Sequence, residues 1–398
     1  MTADILLVSN GYGEAAIAGY IARAIRELDP GAQLAHLPLV GSAPPDAWPP
    51  GVGPQRSMPS GGLVTNWNVR HLVKDLAAGL GRLTWQQSRY LSTQRTRDAV
   101  VAVGDVYCLA LSSFFARRPS IFVATAKSDY VARHSALECA IARRASATFA
   151  RDEPTARSLR NAGVAARYAG NVMMDGLHPI SGIVTRSLGA LHVAVLPGSR
   201  NEAARNAQVS ARHLASLATL LAQHGRRVQA FFAPAPSVAD ADIAAAITDA
   251  GFPLTVSPDV HPAVATHGNL TIAIVRGAFA DVLHAADIVF GQAGTANEQA
   301  AGLGRPVFAA AEPGERPDKM HWYRMRQKRL LGDALMVLPA DPDAFARGVA
   351  AVLDDPAQLA RMSATGKQRL GLQGGARAVA AAALELAAET KRSAGRSA

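Results

Sequence analysis

The chain has 398 residues, 49% hydrophobic and 18% charged, which supports large cores and excludes wholesale disorder. That length suits two domains better than one. A formal net charge of +10 suits an anionic partner, whether phosphorylated substrate, acidic lipid or nucleic acid, or describes no more than a basic surface.

Two cysteines, Cys108 and Cys139, lie in apolar segments, and no zinc spacing occurs. They read as packing residues in a reducing compartment. No basic stretch precedes the first apolar run, and no 18 apolar residues stand together. The expected location is the cytoplasm, or peripherally the cytosolic face of a membrane.

Ile5 to Ser9 is the first expected strand, Asn10-Gly11-Tyr12-Gly13-Glu14 a glycine turn, and Ala15 to Leu28 a helix with Ile17, Ile21, Ile25 and Leu28 at helical spacing. This is how a doubly wound domain opens. It is not the dinucleotide fingerprint, because no third glycine follows Gly11 and Gly13 at that spacing. Pro38 to Gly62 reads as a long surface loop. From Leu63 to Leu91, Trp67, Trp85 and several leucines mix with Arg70, Lys74, Arg82 and Arg89. Such a stretch suits an interfacial amphipathic helix, or a helix packed on its own sheet with its basic residues in water.

Val100 to Gly104 is a buried strand ending in Asp105, and Ile121 to Thr125 is another, followed by the polar turn Lys127-Ser128-Asp129-Tyr130. Helices are expected at Leu137 to Arg144 and Thr155 to Ala162, with a strand at Ala147 to Ala150 between them. The first domain is expected to end at Asp175, with a linker over 176–190.

The pattern then restarts. Leu191 to Leu196 is a strand, Pro197-Gly198-Ser199-Arg200 a turn, and Glu202 opens a helix to about Gln223. Arg200 stands at a helix start, where its guanidinium can fork onto phosphate oxygens. Later strands are expected at Val228 to Phe232, Thr271 to Val275 and Ile288 to Phe290. After the last of these, Gly291 and Gly294 break the chain, and Thr295 with Glu298 resembles a capping box. A strand, a glycine turn and a helix N-terminus make a seat for phosphate, and an acid one turn inside can take the hydroxyls of a ribose. The alternative is an ordinary βαβ turn with a capped helix. Pro317 to Leu331 is an expected basic helix. The second domain is expected over 191–365, a C-terminal helix over 366–390 and a disordered tail over 391–398.

Three stretches occur together in one order: Ala169-Gly170-Asn171-Val172-Met173-Met174-Asp175, Leu196-Pro197-Gly198-Ser199-Arg200-Asn201-Glu202, and Gly294-Thr295-Ala296-Asn297-Glu298 closing in Gly304-Arg305-Pro306. With Ser9-Asn10-Gly11-Tyr12-Gly13-Glu14, Val103-Gly104-Asp105 and Thr125-Ala126-Lys127-Ser128-Asp129-Tyr130, they resemble the lipid-A-disaccharide synthase-related family. The resemblance covers the chain to about Pro339 and implies an α/β GT-B glycosyltransferase: two Rossmann-like domains facing across a cleft, acceptor on the first and UDP-sugar on the second. It implies no metal and no cofactor beyond the donor.

Donor contacts implied are Ser199, Arg200, Gly294, Thr295, Glu298 and Gln327. Acceptor contacts are Gly11, Tyr12, Gly13, Lys127 and Asp129. Asp105 matches the catalytic aspartate and Glu14 is the other candidate base, although Asp105 also suits a helix N-cap and Glu14 a first-turn acid. The synthase proper carries a Gly-Glu-x-Ser-Gly-Asp type of loop where this chain has Gly11-Tyr12-Gly13-Glu14 with no aspartate following. A lipid or lipid-linked acceptor is therefore expected without lipid A being named. The rival readings are a nucleotide-sugar 2-epimerase of the same architecture and a basic module for anionic membrane. Nucleic acid is not expected, since no helix-turn-helix or aromatic–basic RNA motif occurs.

Overall fold

The computed structural model describes residues 2–43, 47–57, 77–180, 182–198, 202–254, 263–312, 315 and 320–397. The chain forms two compact units, Met1–Gly176 with Leu372–Ala398, and Leu177–Gly371.

The first unit is built from β1 (Asp4–Ser9), α1 (Tyr12–Leu28), β2 (Gln33–Pro38), α2 (Leu80–Thr93), β3 (Ala99–Gly104), α3 (Val106–Leu111), β4 (Ser120–Ala124), α4 (Ala136–Ala142), β5 (Ala147–Ala150), α5 (Glu153–Asn161) and β6 (Ala166–Arg167). The strands make one parallel sheet in the order β2-β1-β3-β4-β5-β6. Every residue of β3 and β4 is buried, as a strand covered on both faces by helices must be. Leu6, Val8, Leu37, Val100 and Phe122 join one core. Each such side chain contributes about 1.5–3 kcal/mol on burial. The order reverses between β1 and β3, so ligands of such a sheet are expected beyond the carboxyl ends of those two strands.

The second unit holds β7 (Ala190–Leu196), α6 (Ala203–Ala222), β8 (Arg227–Phe232), α7 (Asp240–Asp249), β9 (Ala263–His267), β10 (Leu270–Ile274), α8 (Phe279–Ala285), β11 (Ile288–Gly291), α9 (Thr295–Gly302), β12 (Val307–Ala310), α10 (Trp322–Leu331), β13 (Leu335–Leu338), α11 (Pro342–Leu353) and α12 (Pro356–Leu370). Its sheet runs β13-β12-β11-β7-β8-β10-β9, parallel except for the edge strand β9. The order reverses between β7 and β11.

Several boundaries differ from expectation. Residues 177–190 are tied into the second unit rather than forming a free linker: Ile180 N–H donates to Asp281 and Ser187 N–H to Gln229. The stretch expected as a long loop after Pro38 carries two bridges, His36 with Gly51 and Gly41 with Arg56. The second unit ends at Gly371, beyond the expected 365. A final helix, α13 (Gly375–Ser397), then packs on α1 of the first unit. The expected disordered tail from Lys391 is helical instead, and Lys391 Nζ bonds the Thr2 carbonyl and pairs with Asp98 at 3.0 Å. The Asn171 to Asp175 stretch is the clasp for this returning chain. Asn171 N–H donates to the Leu372 carbonyl at 2.9 Å, and the Asp175 carboxylate accepts the N–H groups of Gly374 and Ala376. A carboxylate on the free N–H groups of a first helical turn both caps it and opposes its dipole.

Candidate functional site

Two strand edges carry the candidate residues. In the second unit, β7 runs into Pro197-Gly198, and β11 into Gln292 and Gly294, side by side at the switch point. Gln292 N–H donates to the Leu196 carbonyl at 3.0 Å, which locks the two turns together. Ser199 and Arg200 lie outside the described residues.

Helix α9 begins at Thr295 with Gly294 as its N-cap, and no side chain caps it. The expected capping box is therefore not formed: Thr295 is an exposed first-turn residue, and Glu298 N–H donates to the Gly294 carbonyl at 3.3 Å. The loop is held by a buried amide pair instead. Gln327 donates to the Gly294 carbonyl at 3.0 Å and accepts from Asn297 Nδ2 at 3.2 Å, while Asn297 Nδ2 also donates to the Gly291 carbonyl at 3.2 Å. Both ends of the Gln327 amide are thus engaged within the protein, where they brace this loop. Gly294 is closely approached: a Cβ there would stand 2.6 Å from the Tyr323 hydroxyl, which would have to move aside. The expected basic helix starts at Trp322, while 316–319 lie outside the described residues. Arg324 is not free for phosphate: its guanidinium donates to Glu315 at 2.9 Å and to Gln292 at 3.3 Å. Burial pushes the Glu315 carboxyl up, but the N–H groups of Glu312 and His321, with Arg324, outweigh it and hold the group below its usual range.

In the first unit, β3 ends in Gly104, whose φ of +132° suits glycine. A Cβ there would stand 3.2 Å from Glu14 Cγ and 3.8 Å from Asn10 Cβ, so Glu14 and Asn10 close over this residue. Asp105 N-caps α3, its Oδ1 accepting the N–H groups of Tyr107 at 3.0 Å and Cys108 at 3.2 Å. Asn10 Nδ2 donates to its other oxygen at 3.1 Å. Burial raises the Asp105 carboxyl above its ordinary value, against the pull of these three donors. Glu14, in the first turn of α1, is pushed up to about 7 by burial and by the charge of Asp105, with its own N–H and Arg151 opposing.

Gly11 is the N-cap of α1 and Gly13 lies in its first turn, so the helix begins earlier than the expected Ala15; the Tyr12 side chain lies outside what is described. Lys127 and Asp129 follow β4 on the same edge. Lys127 is ion-paired with Glu138 at 2.7 Å, and Asp129 with Arg133 at 3.6 Å, while the Asp129 N–H donates to Thr155 Oγ1 at 2.9 Å. The structure thus brings Glu14, Asp105, Lys127 and Asp129 to one edge, and Gly294, Thr295 and Glu298 to the other. Among the described residues, no group of three or more His, Cys, Asp or Glu could hold a metal ion. Both cysteines are buried and free. Sequence reasoning assigned no role to Asn10, Asn297 or Tyr323. A polar residue at the carboxyl end of an apolar strand, directly after Ser9, was the available signal for Asn10.

No family profile matches the sequence, and no curated protein matches it. Solved structures match along nearly the whole chain. MurG from Acinetobacter baumannii is similar with a TM-score of 0.56 at 16% identity, over 96% of this chain and 99% of that one. A UDP-GlcNAc 2-epimerase from Methanocaldococcus jannaschii gives 0.56 at 12% identity, over 94% and 98%. UGT71G1 from Medicago truncatula, solved with UDP-glucose, gives 0.51 at 10% identity, over 98% of each chain. At these identities the likeness establishes the fold: two Rossmann-like α/β domains of the GT-B type.

Proposed function

We propose that the protein is an inverting glycosyltransferase, similar to the lipid-A-disaccharide synthase-related proteins, that moves a sugar from a UDP-sugar to a lipid or lipid-linked acceptor. The observation that carries this reading is the β7/β11 switch point, where Gly198, Gly294 and the uncapped first turn of α9 stand side by side. Free N–H groups at a helix start favour an anion. Arg200, which follows β7 in the sequence, supplies the diphosphate with a guanidinium, and Glu298 the ribose with an acceptor. In this proposal these groups, rather than a metal ion, balance the charge of departing UDP. That two of the similar structures carry UDP-GlcNAc or UDP-glucose in their names supports a uridine donor.

The edge at β1 and β3 takes the acceptor hydroxyl, with Asp105 and Glu14 as the carboxyls that can receive its proton. A lipid acceptor is supported by the surface of the first unit. Trp85 on α2 is 59% exposed and Phe114, after α3, 51%, with Arg89 over the one ring and Arg144 over the other. No Asp or Glu occurs from Leu76 to Arg97. Aromatic rings among arginines suit the interface of an anionic membrane. No described helix is long and apolar enough to cross one.

A second reading, the 2-epimerase, is favoured by the similarity to the Methanocaldococcus enzyme. Incubation with UDP-GlcNAc separates them. The transferase releases UDP only when a lipid extract is added. Conversion of UDP-GlcNAc alone to its 2-epimer would overturn the transferase reading.

A further inference from the structure

We infer that Glu14 accepts the proton of the acceptor hydroxyl, and that Asp105 is a positioning residue, pinned by Asn10 and the first turn of α3; this rests on the transferase reading above. Asp105 Oδ1 holds two backbone N–H groups and Oδ2 holds the Asn10 amide. Asn10 itself is 6% exposed, and its Cβ lies against Gly104. If Asp105 swung toward a substrate, three donors in a half-buried place would lose their partner, an unfavourable movement. With three donors on it, Asp105 is also the carboxyl that ionises first.

Glu14 differs in each respect. It enters the same edge from α1, on the other side of the switch point, with its Cγ stacked over Gly104. Among the described residues no other side chain donates a hydrogen bond to it. The groups facing it are Asp105 from the end of β3, Cys108 from α3 and Arg151 from the loop after β5. Two carboxyls on one edge cannot both ionise easily, so the pinned one ionises first and the free one gives up its proton only near neutral pH, where as a carboxylate it can accept another. In the transfer, the acceptor O–H proton passes to Glu14, and the oxygen attacks the anomeric carbon. The bond from that carbon to the β-phosphate oxygen breaks, and its electron pair leaves with UDP.

The test uses the full-length protein labelled with carbon-13 at the glutamate side-chain carboxyls. One resonance should titrate near pH 7, disappear in Glu14→Gln, and titrate at lower pH in Asp105→Asn, because a neighbouring charge is gone. A Glu14 resonance titrating near 4, or one unmoved by Asp105→Asn, would overturn the assignment. A second arm measures UDP release from UDP-GlcNAc with lipid extract across pH. Glu14→Gln should lose at least about 100-fold in turnover. Asp105→Asn should keep turnover within about tenfold, with its acid limb moved to lower pH. A Glu14→Gln protein of wild-type turnover, or an Asp105→Asn protein about 100-fold down but with an unaltered melting curve, sinks the proposal. If the wild type releases no UDP, the transferase reading fails with this donor, while the titration still decides which carboxyl carries the proton.

Discussion

Gln327 Nε2 donates to the carbonyl of Gly294 at 3.0 Å, so a residue of α10 holds the N-cap of α9 from 33 positions away. Its oxygen accepts from Asn297 in the same buried place. Replacing it by Ala removes two hydrogen bonds there, each contributing about 0.5–1.5 kcal/mol. Gln327→Ala should therefore unfold at lower denaturant and bind UDP more weakly. Gln327→Ala with wild-type stability in urea titration would show that the brace carries no weight.

Arg200 is expected to grip the diphosphate. Calorimetry in the presence of chelator should show UDP binding, and Arg200→Ala should weaken it by about 1.5–3 kcal/mol, the scale of a lost charge-assisted hydrogen bond. UDP that binds only with added divalent ion, or equally well to the variant, excludes this role.

The aromatic–basic face of the first unit gives a salt-dependent expectation. Sedimentation with anionic vesicles should capture the protein at low salt and lose it as salt rises, since each basic residue near the surface contributes about 1 kcal/mol and is screened. Trp85→Ser with Phe114→Ser should reduce capture several-fold. Equal binding to neutral and anionic vesicles would contradict the electrostatic part.

Stability against pH separates two groups of the first unit, the buried His36 and the half-buried Glu14. His36, bonded to Ser9 Oγ at 2.8 Å, is pushed by burial from 6.5 down to about 4. The unfolded chain takes up that proton first, so His36 removes stability as pH falls from about 6.5 towards 4. Glu14, raised from 4.5 to about 7, keeps its proton longer in the folded state, so it removes stability as pH rises between those values. Each effect is on the order of 3 kcal/mol. The two oppose one another over the shared range. Denaturation of Glu14→Gln should show stability climbing with pH from 4 to 6.5, and His36→Gln should show it falling from 4.5 to 7. Parallel profiles for both variants would contradict these shifts.

Asp175 offers a test of the C-terminal clasp. Asp175→Ala removes the acceptor for the Gly374 and Ala376 N–H groups. The loss should be about 1–3 kcal/mol, with faster hydrogen exchange concentrated in α13. Unchanged exchange there would mean that packing on α1 alone secures the helix.

The fold class was legible in sequence because its signal is local. Apolar runs such as Val100 to Gly104, each followed by a glycine turn and a helical period, specify buried parallel strands without reference to distant residues. The two edges were legible for the same reason, since residues directly after a strand end stand at its carboxyl end. What lies on those edges in detail was not legible. Thr295 and Glu298 have the spacing of a capping box, yet the helix starts one residue earlier, with Gly294 as its N-cap, and Gln327 does the holding. Asp105 has the position of a base, yet its oxygens are engaged by Tyr107, Cys108 and Asn10, the last from 95 residues earlier. Helical period pointed to a C-terminal helix over 366–390, but not to its running on to Ser397 nor to which sheet it serves; the clasp at Asn171 to Asp175 and the packing on α1 assign it to the first unit. Sequence determines which groups are present and which elements carry them. Whether a carboxyl is pinned or free depends on the donors that tertiary contacts bring within 3 Å or so, and those contacts have no fixed separation along the chain.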